Sequence, residues 1–326
     1  MNVFSSAFRT ARPRIAIIGA GAVGCALGRR FKTAGFPVDA VISRSADSAE
    51  KLAAEVGAEV SSTSVRDIPA GVEAVLICVP DSNVSAVVED LSYVRHNWRA
   101  TVVAHTSGAL SADVLQPLAD EGARVMSFHP LQALTLKSDE KALDGVYVGI
   151  EGDPRAVAAG IEIAVGLELR YLVLSRDAKV RYHLAASMAS NYLVTLMAIV
   201  QEVAGSLNIG RNEAQNLIAP LIRGTLDNVA KASPEEVLTG PILRGDVDTI
   251  RQHGISLRQH LPHLVPVYSA MGIETVRVAV RSGRLDPALA EELLEMFQKL
   301  VTIPIPNRPP SGFQEAKHEQ PAPAVA

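Results

Sequence analysis

The chain has 326 residues, with 31 basic and 35 acidic side chains and a formal net charge of −4, so its charge does not mark it for a nucleic-acid polyanion. Hydrophobic residues make up 48% and aromatics only 4%, which predicts two folded domains with cores of Ala, Val, Leu and Ile. The two cysteines, Cys25 and Cys78, fall in apolar stretches and make no disulfide framework, as expected of a reducing cytoplasm.

The chain opens with "MNVFSSAFRTARPR", which lacks an apolar core long enough for a signal peptide; residues 1–12 read as an extension. From residue 13 short apolar runs alternate with helical patterns. Ile15–Ile18, Val38–Ile42, Ala74–Val79, Thr101–Ala104 and Arg124–Phe128 read as strands, and Val146–Ile150 and Arg170–Leu174 extend the set. Asp47 and Glu50 suggest a capping box before "KLAAEV", and Gly57 ends that helix. Asp153-Pro154 reads as an N-cap followed by a first-turn proline. Such alternation predicts an α/β fold with a Rossmann-type, doubly wound parallel sheet over residues 13–175.

After Ser175 the strand signals stop. Lys179–Leu207 is one long helical pattern, with Val180, Leu184, Met188, Tyr192, Leu196, Ile199, Val203 and Leu207 at helical spacing. Within it, Leu184–Ala204 has nearly the length of a membrane span. It also carries Ser187, Ser190, Asn191, Thr195, Gln201 and Glu202, so it reads as a helix buried in protein at a subunit interface. Further helices are predicted over Asn212–Ala232, Asp246–Gln259, His263–Ser282 and Asp286–Leu300, making residues 176–302 an all-α substrate and dimerisation domain. The tail, residues 303–326, is proline-rich and polar and reads as disordered.

Gly19-Ala20-Gly21-Ala22-Val23-Gly24 matches G-x-G-x-x-G, between a strand and a helix as the motif requires. Gly19 permits the tight turn, Gly21 lets backbone approach a pyrophosphate, and Gly24 lets helix and strand pack closely. The amides of Ala22, Val23 and Gly24 then face the phosphates at a helix N-terminus. A glycine turn in a ligand-free core is the plainer alternative.

An NAD site places a carboxylate at the end of the second strand. Here that strand ends in Ser43-Arg44-Ser45, and Asp39 comes too early. Arginine flanked by hydroxyls suits a 2′-phosphate, so the expected cofactor is NADP. Arg44 as a solvated loop residue is the alternative.

Later strand ends carry Val79-Pro80-Asp81-Ser82-Asn83, His105-Thr106-Ser107-Gly108 and Ser127-Phe128-His129-Pro130. Ligands of open α/β sheets sit beyond such ends, so Val79, Pro80, His105 and Thr106 join the cofactor set.

Together "IAIIGAGAVG", "VISRS", "ICVPDSNV", "HTSGALSADVL", "FHPLQAL", "YHLAASMASNYLVTL" and "LTGPILRGD" resemble a family of Rossmann-like proteins with a C-terminal domain of unknown function. That family belongs to the 6-phosphogluconate-dehydrogenase-like superfamily. Its relatives include deazaflavin-dependent NADP reductases, pyrroline-carboxylate reductases, prephenate dehydrogenases and ketopantoate reductases. The resemblance covers roughly Pro13 to Leu300 and implies NADP binding, a helical second domain and dimerisation through it. It does not imply a substrate. β-Hydroxyacid dehydrogenases carry Lys-x-x-x-Asn on the first helix of the second domain. Here Lys179 is followed four residues later by His183, so that mechanism does not carry over. The "FHPLQ" stretch is similar to a His-Pro-Met stretch of prephenate dehydrogenases, which implies a place for His129 near substrate.

His183, Ser187, Asn191 and Thr195 recur every fourth residue and form a polar ridge, facing either substrate or a neighbouring helix. Hydride transfer to a carbonyl or imine needs a proton, and a histidine suits that role. The candidates are His183, then His129, then Lys179, with Asn191 and Ser107 orienting the substrate. Arg223 and Arg244 are candidate carboxylate clamps, and Asp246 reads as an N-cap. His260-Leu-Pro-His263 has near metal spacing, but its proline breaks the alignment, and no metal is expected. The chain thus reads as a cytoplasmic, homodimeric NADP(H)-dependent oxidoreductase of a small carbonyl or imine. A ketopantoate-type reductase and a dinucleotide-binding sensor or scaffold without turnover are the alternatives.

Overall fold

The computed structural model describes residues 12–302; the expected extension, apart from its last residue, and the expected tail lie outside them. The chain divides into two compact units, Met1–Leu193 and Val194–Ala326.

The first unit is a sheet with helices on both faces. In chain order it runs β1 (Ile15–Ile18), α1 (Ala22–Thr33), β2 (Val38–Ile42), α2 (Ala46–Val56), β3 (Val60–Ser62), β4 (Ala74–Ile77), α3 (Asp81–Ser92), β5 (Val102–His105), α4 (Gln116–Asp120), β6 (Arg124–Pro130), β7 (Tyr147–Gly152), α5 (Pro154–Gly166), β8 (Arg170–Val173) and α6 (Arg176–Gly205). Strand residues alternate between two cores. Ile15, Ile17, Val41, Leu76, Ala104 and Phe128 pack on one face, and Ala16, Ile18, Ile42, Ile77 and Val103 on the other. Burial on both faces is why these strands read as continuous apolar runs.

The strand order is β3-β2-β1-β4-β5-β6-β7-β8. The first six strands are parallel, as expected, but β7 runs antiparallel to β6, and β8 is parallel to β7. The sheet is thus the expected doubly wound, mostly parallel one, with its single antiparallel pairing at this point. A parallel neighbour needs a long crossover over one face. Between Pro130 and Tyr147 the chain makes only a single short helical turn, at Glu140–Leu143, and returns along the edge it left.

Two local readings also change. Helix α2 is capped by Ser45, whose side chain accepts from the Ser48 amide; Asp47 lies inside the first turn and is not the cap. Strand β3 was not foreseen, because three residues, two of them serine, are too short for an alternation signal. Asp153 does cap α5, accepting from the Arg155 and Ala156 amides.

Helix α6 begins three residues before the expected start and passes the division between the units, which falls at Leu193/Val194 and not at Ser175. It is not buried within its own chain: Val180, Leu184, Met188, Tyr192 and Val194 are all more than half exposed. Among the described residues it is the one helix long and apolar enough, by length and composition, to cross a membrane.

The second unit is helical. After α6 come α7 (Arg211–Val229), α8 (Pro234–Val237), α9 (Val247–His260), α10 (Val265–Arg281) and α11 (Pro287–Thr302). Ile250, Val276, Ala279, Leu293 and Phe297 form its core. Asp246 caps α9 through the Thr249 amide. His263 pairs with Glu202 at 2.8 Å. Helix α7 leaves Leu217, Leu221, Leu226 and Val229 exposed.

Candidate functional site

The turn after β1 is shaped by what its glycines lack. Gly19 has φ +107°, and a Cβ there would lie 2.4 Å from the Cys78 carbonyl oxygen. A Cβ at Gly24 would lie 1.9 Å from the Gly19 carbonyl oxygen. Those two positions are therefore closed to any other residue by the fold itself. Gly21 differs, because nothing stands within 4 Å of the Cβ it lacks. Its missing side chain leaves open space on the ligand side of the turn. Gly21 also occupies the N-cap of α1 and offers no side chain to the first-turn amides of Ala22, Val23 and Gly24. No acidic side chain occupies that turn. An open cradle of amide donors at a helix N-terminus fits a pyrophosphate.

At the end of β2, Arg44 is exposed and makes no ion pair with a described residue. Ser43 is held through its amide, which donates to the Ser62 carbonyl oxygen. Ser45 is exposed, and its Oγ caps α2. Asp39, the only carboxylate of β2, is bound to Arg14 at 2.5 Å. Among the described residues, the edge of β2 therefore presents an exposed guanidinium without an ion-pair partner and no unpaired carboxylate of its own. Val79 and Pro80 follow β4 beside Gly19, and Pro80 opens α3.

A second constellation forms where β5 and β6 end and α6 begins. Lys179 is fully buried and donates to the Ser107 carbonyl oxygen at 2.9 Å and to Ser127 Oγ at 2.5 Å. Ser107 Oγ in turn accepts from the Ala109 and Leu110 amides, which fixes the loop. One turn along α6, His183 meets His129 with ring centroids 6.1 Å apart. Gly108 lies between the two rings. A Cβ there would be 2.5 Å from His183 Nδ1 and 2.9 Å from His129 Nε2. His183 Nδ1 is shut from solvent and has no hydrogen-bond partner among the described residues.

Burial sets the charges. Desolvation, then the Lys179 ammonium and the His183 ring, lower the pKa of His129 to about 4. Its imidazole is neutral at pH 7. Lys179 is lowered to about 8 by burial, opposed by the nearby Glu151 carboxylate, so it remains mostly a cation. Glu151 is buried and accepts from the Ala112 amide at 2.8 Å. The cluster therefore joins a buried cation, Lys179, to the neutral imidazole of His129 beside the His183 ring.

Of the residues singled out in the sequence, Lys179, His183, His129 and Ser107 come together. His105 does not contribute its side chain. It is fully buried, its Nδ1 accepts from the Ser107 amide, and its Nε2 donates to the Ser111 carbonyl oxygen. Burial lowers it to about 4, so it is a neutral strut of the loop. Thr106 is buried and donates to the Ile77 carbonyl oxygen at 3.4 Å. Asn191 is exposed, two turns beyond His183 and about 12 Å further along the helix. In the second unit Arg223 lines a cavity of about 260 Å³ with Met197, Val200, Gln201 and Ile218. The sequence reading placed Ser127 at a strand end without a role and missed Glu151, Gly149 and Tyr182. The glycine inside β7 was the available cue, since a strand interior tolerates glycine mainly where something approaches closely.

A Rossmann-type α/β domain followed by a helical unit defines the class of the protein. Two family models match successive parts of the chain: a Rossmann-like domain over residues 2–130, and the domain of unknown function DUF2520 over residues 146–275, beginning just before β7. The two matches together support the resemblance to Rossmann-like proteins that carry this C-terminal domain. A candidate NADP oxidoreductase from Bacteroides fragilis has a similar structure, with a TM-score of 0.65 and 20% identity over 89% of this chain and 98% of that one. A protein from Thermotoga maritima gives a TM-score of 0.61 at 26% identity, covering 88% and 97%. A pyrroline-5-carboxylate reductase from Coxiella burnetii gives 0.53 at 14%, covering 88% and 98%. No curated protein sequence matches the chain.

Proposed function

We propose that the protein is an NADP(H)-dependent oxidoreductase acting on a small carbonyl or imine substrate. One observation carries this reading: an open amide cradle at Gly21 and an exposed Arg44 occupy carboxyl ends of the same sheet whose later strand ends hold His129 and the loop under His183. The likeness to oxidoreductase structures, among them a pyrroline-5-carboxylate reductase, supports it. In this reading the α1 amides hold the pyrophosphate and Arg44 the 2′-phosphate. Bound NADPH supplies the hydride. The chain supplies the rest: His129 donates a hydrogen bond, His183 exchanges a proton, and Lys179 holds the Ser107–Gly108 loop beneath them. A screen of carbonyl and imine metabolites following NADPH absorbance tests the activity. A scaffold without turnover would bind NADPH and oxidise it with none of them.

We further read the exposed apolar faces of α6 and α7 as covered by a second copy of the chain. Both helices carry large apolar side chains in the open, while His183, Ser187 and Asn191 form a polar ridge on α6 that a bilayer would not solvate. The cavity beside Arg223 lies on these same helices. Sedimentation should give a species of twice the 34.6 kDa chain at micromolar concentration, and Leu221→Glu should convert it to monomer. A wild type that sediments only as monomer overturns the dimer.

A further inference from the structure

Tyr182 precedes His183 on α6, yet its hydroxyl belongs to His129. The hydroxyl oxygen lies 3.0 Å from His129 Nδ1 and 3.4 Å from the His129 carbonyl oxygen. The two rings meet edge to face at 5.6 Å. Residue 149 makes the socket. It is the partner of His129 across the β6–β7 ladder, and a Cβ there would lie 2.8 Å from Tyr182 Cζ and 2.9 Å from its hydroxyl oxygen. Only glycine leaves the ring room to reach the histidine.

Burial pushes the Tyr182 phenol up to about 12, so the hydroxyl keeps its single proton across the neutral range. Two acceptors compete for that proton, and Nδ1 is the closer one. A neutral imidazole that accepts at Nδ1 carries its own proton on Nε2. Nε2 is the nitrogen turned toward Gly108, on the side shared with His183.

We propose that Tyr182 is a positioning residue that fixes His129 in its Nε2–H form, aiming one hydrogen-bond donor into the cluster at Gly108. This rests on the reading of that cluster as the substrate site. The donor is a fixed one. The Lys179 ammonium and the His183 and His105 rings act on it in the same sense, and the Asp81 carboxylate acts against them. His129 therefore polarises a substrate acceptor atom, and the proton that is transferred comes from elsewhere.

Nitrogen-15 NMR of the imidazole rings in the full chain tests this at pH 7. The His129 signals are assigned by their loss in His129→Asn. The wild type should show a protonated Nε2 and an unprotonated, hydrogen-bonded Nδ1. Tyr182→Phe keeps the ring but removes the hydroxyl, and the Nδ1–H form should then appear alongside the other. Gly149→Ala keeps the hydroxyl but fills its socket, and should give the same mixture. A wild-type proton on Nδ1, or a His129 spectrum unchanged in both variants, overturns the assignment. NADPH fluorescence titration of the same samples separates the two claims. Loss of NADPH binding in the wild type refutes the cofactor reading and leaves the tautomer result standing, whereas NADPH binding with the wrong tautomer refutes only the role of Tyr182.

Discussion

At the glycine turn the working surface is backbone, whereas at the ends of β5 and β6 it is side chains. The turn functions through absence: Gly19 and Gly24 are forced by carbonyl oxygens already in place, and Gly21 leaves open space. The histidine cluster functions through occupation, with Lys179, Ser107, Ser127, His129 and Tyr182 holding one another. The difference is one of tolerance. A phosphate cradle needs only free amides and room, so its requirements are local. Proton chemistry needs groups whose charge is set by burial, so its requirements come from several elements at once.

Substitutions can separate these two kinds of site. The largest effect is expected at His183. Once a substrate is known, His183→Ala should slow turnover by about 10²–10⁴-fold while leaving NADPH affinity nearly unchanged. Unchanged turnover would return His183 to a purely structural contact with Gly108 and leave Lys179 as the proton-transfer candidate.

Within the turn, Gly24→Ala and Gly21→Ala should diverge. The first drives a methyl into the Gly19 carbonyl, so both stability and NADPH binding should fall; overpacking of this kind costs about 1–3 kcal/mol. The second meets nothing in the protein, so the melting temperature should hold while NADPH affinity drops. Equal melting losses in both variants would show that Gly21 serves the fold and not a ligand.

Arg44→Ala should remove most of the preference for NADPH over NADH, about 10- to 100-fold for a hydrogen bond to a charged group worth about 1.5–3 kcal/mol. Fluorescence titration of both cofactors reads it directly. Equal wild-type affinity for the two would sink the argument from Ser43-Arg44-Ser45.

A smaller effect should follow pH. His129 and His105 are lowered to about 4 in the fold from 6.5. Between those values the unfolded chain binds more protons than the native one, so stability is full above about 6.5 and falls as pH drops toward 4. The melting temperature should decline by several degrees across that window, and replacing His105 by Asn should flatten part of the slope. A decline that begins only below pH 4 would mean that neither ring is buried neutral.

The legibility of the two regions differs for the same reason. The glycine motif, the arginine after β2 and the caps at Asp153 and Asp246 were readable because each is a contiguous pattern of residue types with a local physical cause. The socket at Gly149 was not, since nothing near it in the chain says that Tyr182, 33 positions later, will lie against it. Nor does a histidine at a strand end show its role: His105 and His129 stand on adjacent parallel strands, and only their surroundings separate them. One spends both ring nitrogens on the loop. The other keeps Nε2 toward Gly108.

The sequence by itself determined the alternation of strand and helix, the turn that suits a dinucleotide, and the long apolar helix, because backbone periodicity and glycine sterics act over a few residues. Tertiary structure alone decided the reversal of β7, the neutral state of His129 and its partnership with Tyr182. Those depend on which strands lie side by side and on how far water is excluded between them. Both are set by contacts between residues distant in the chain.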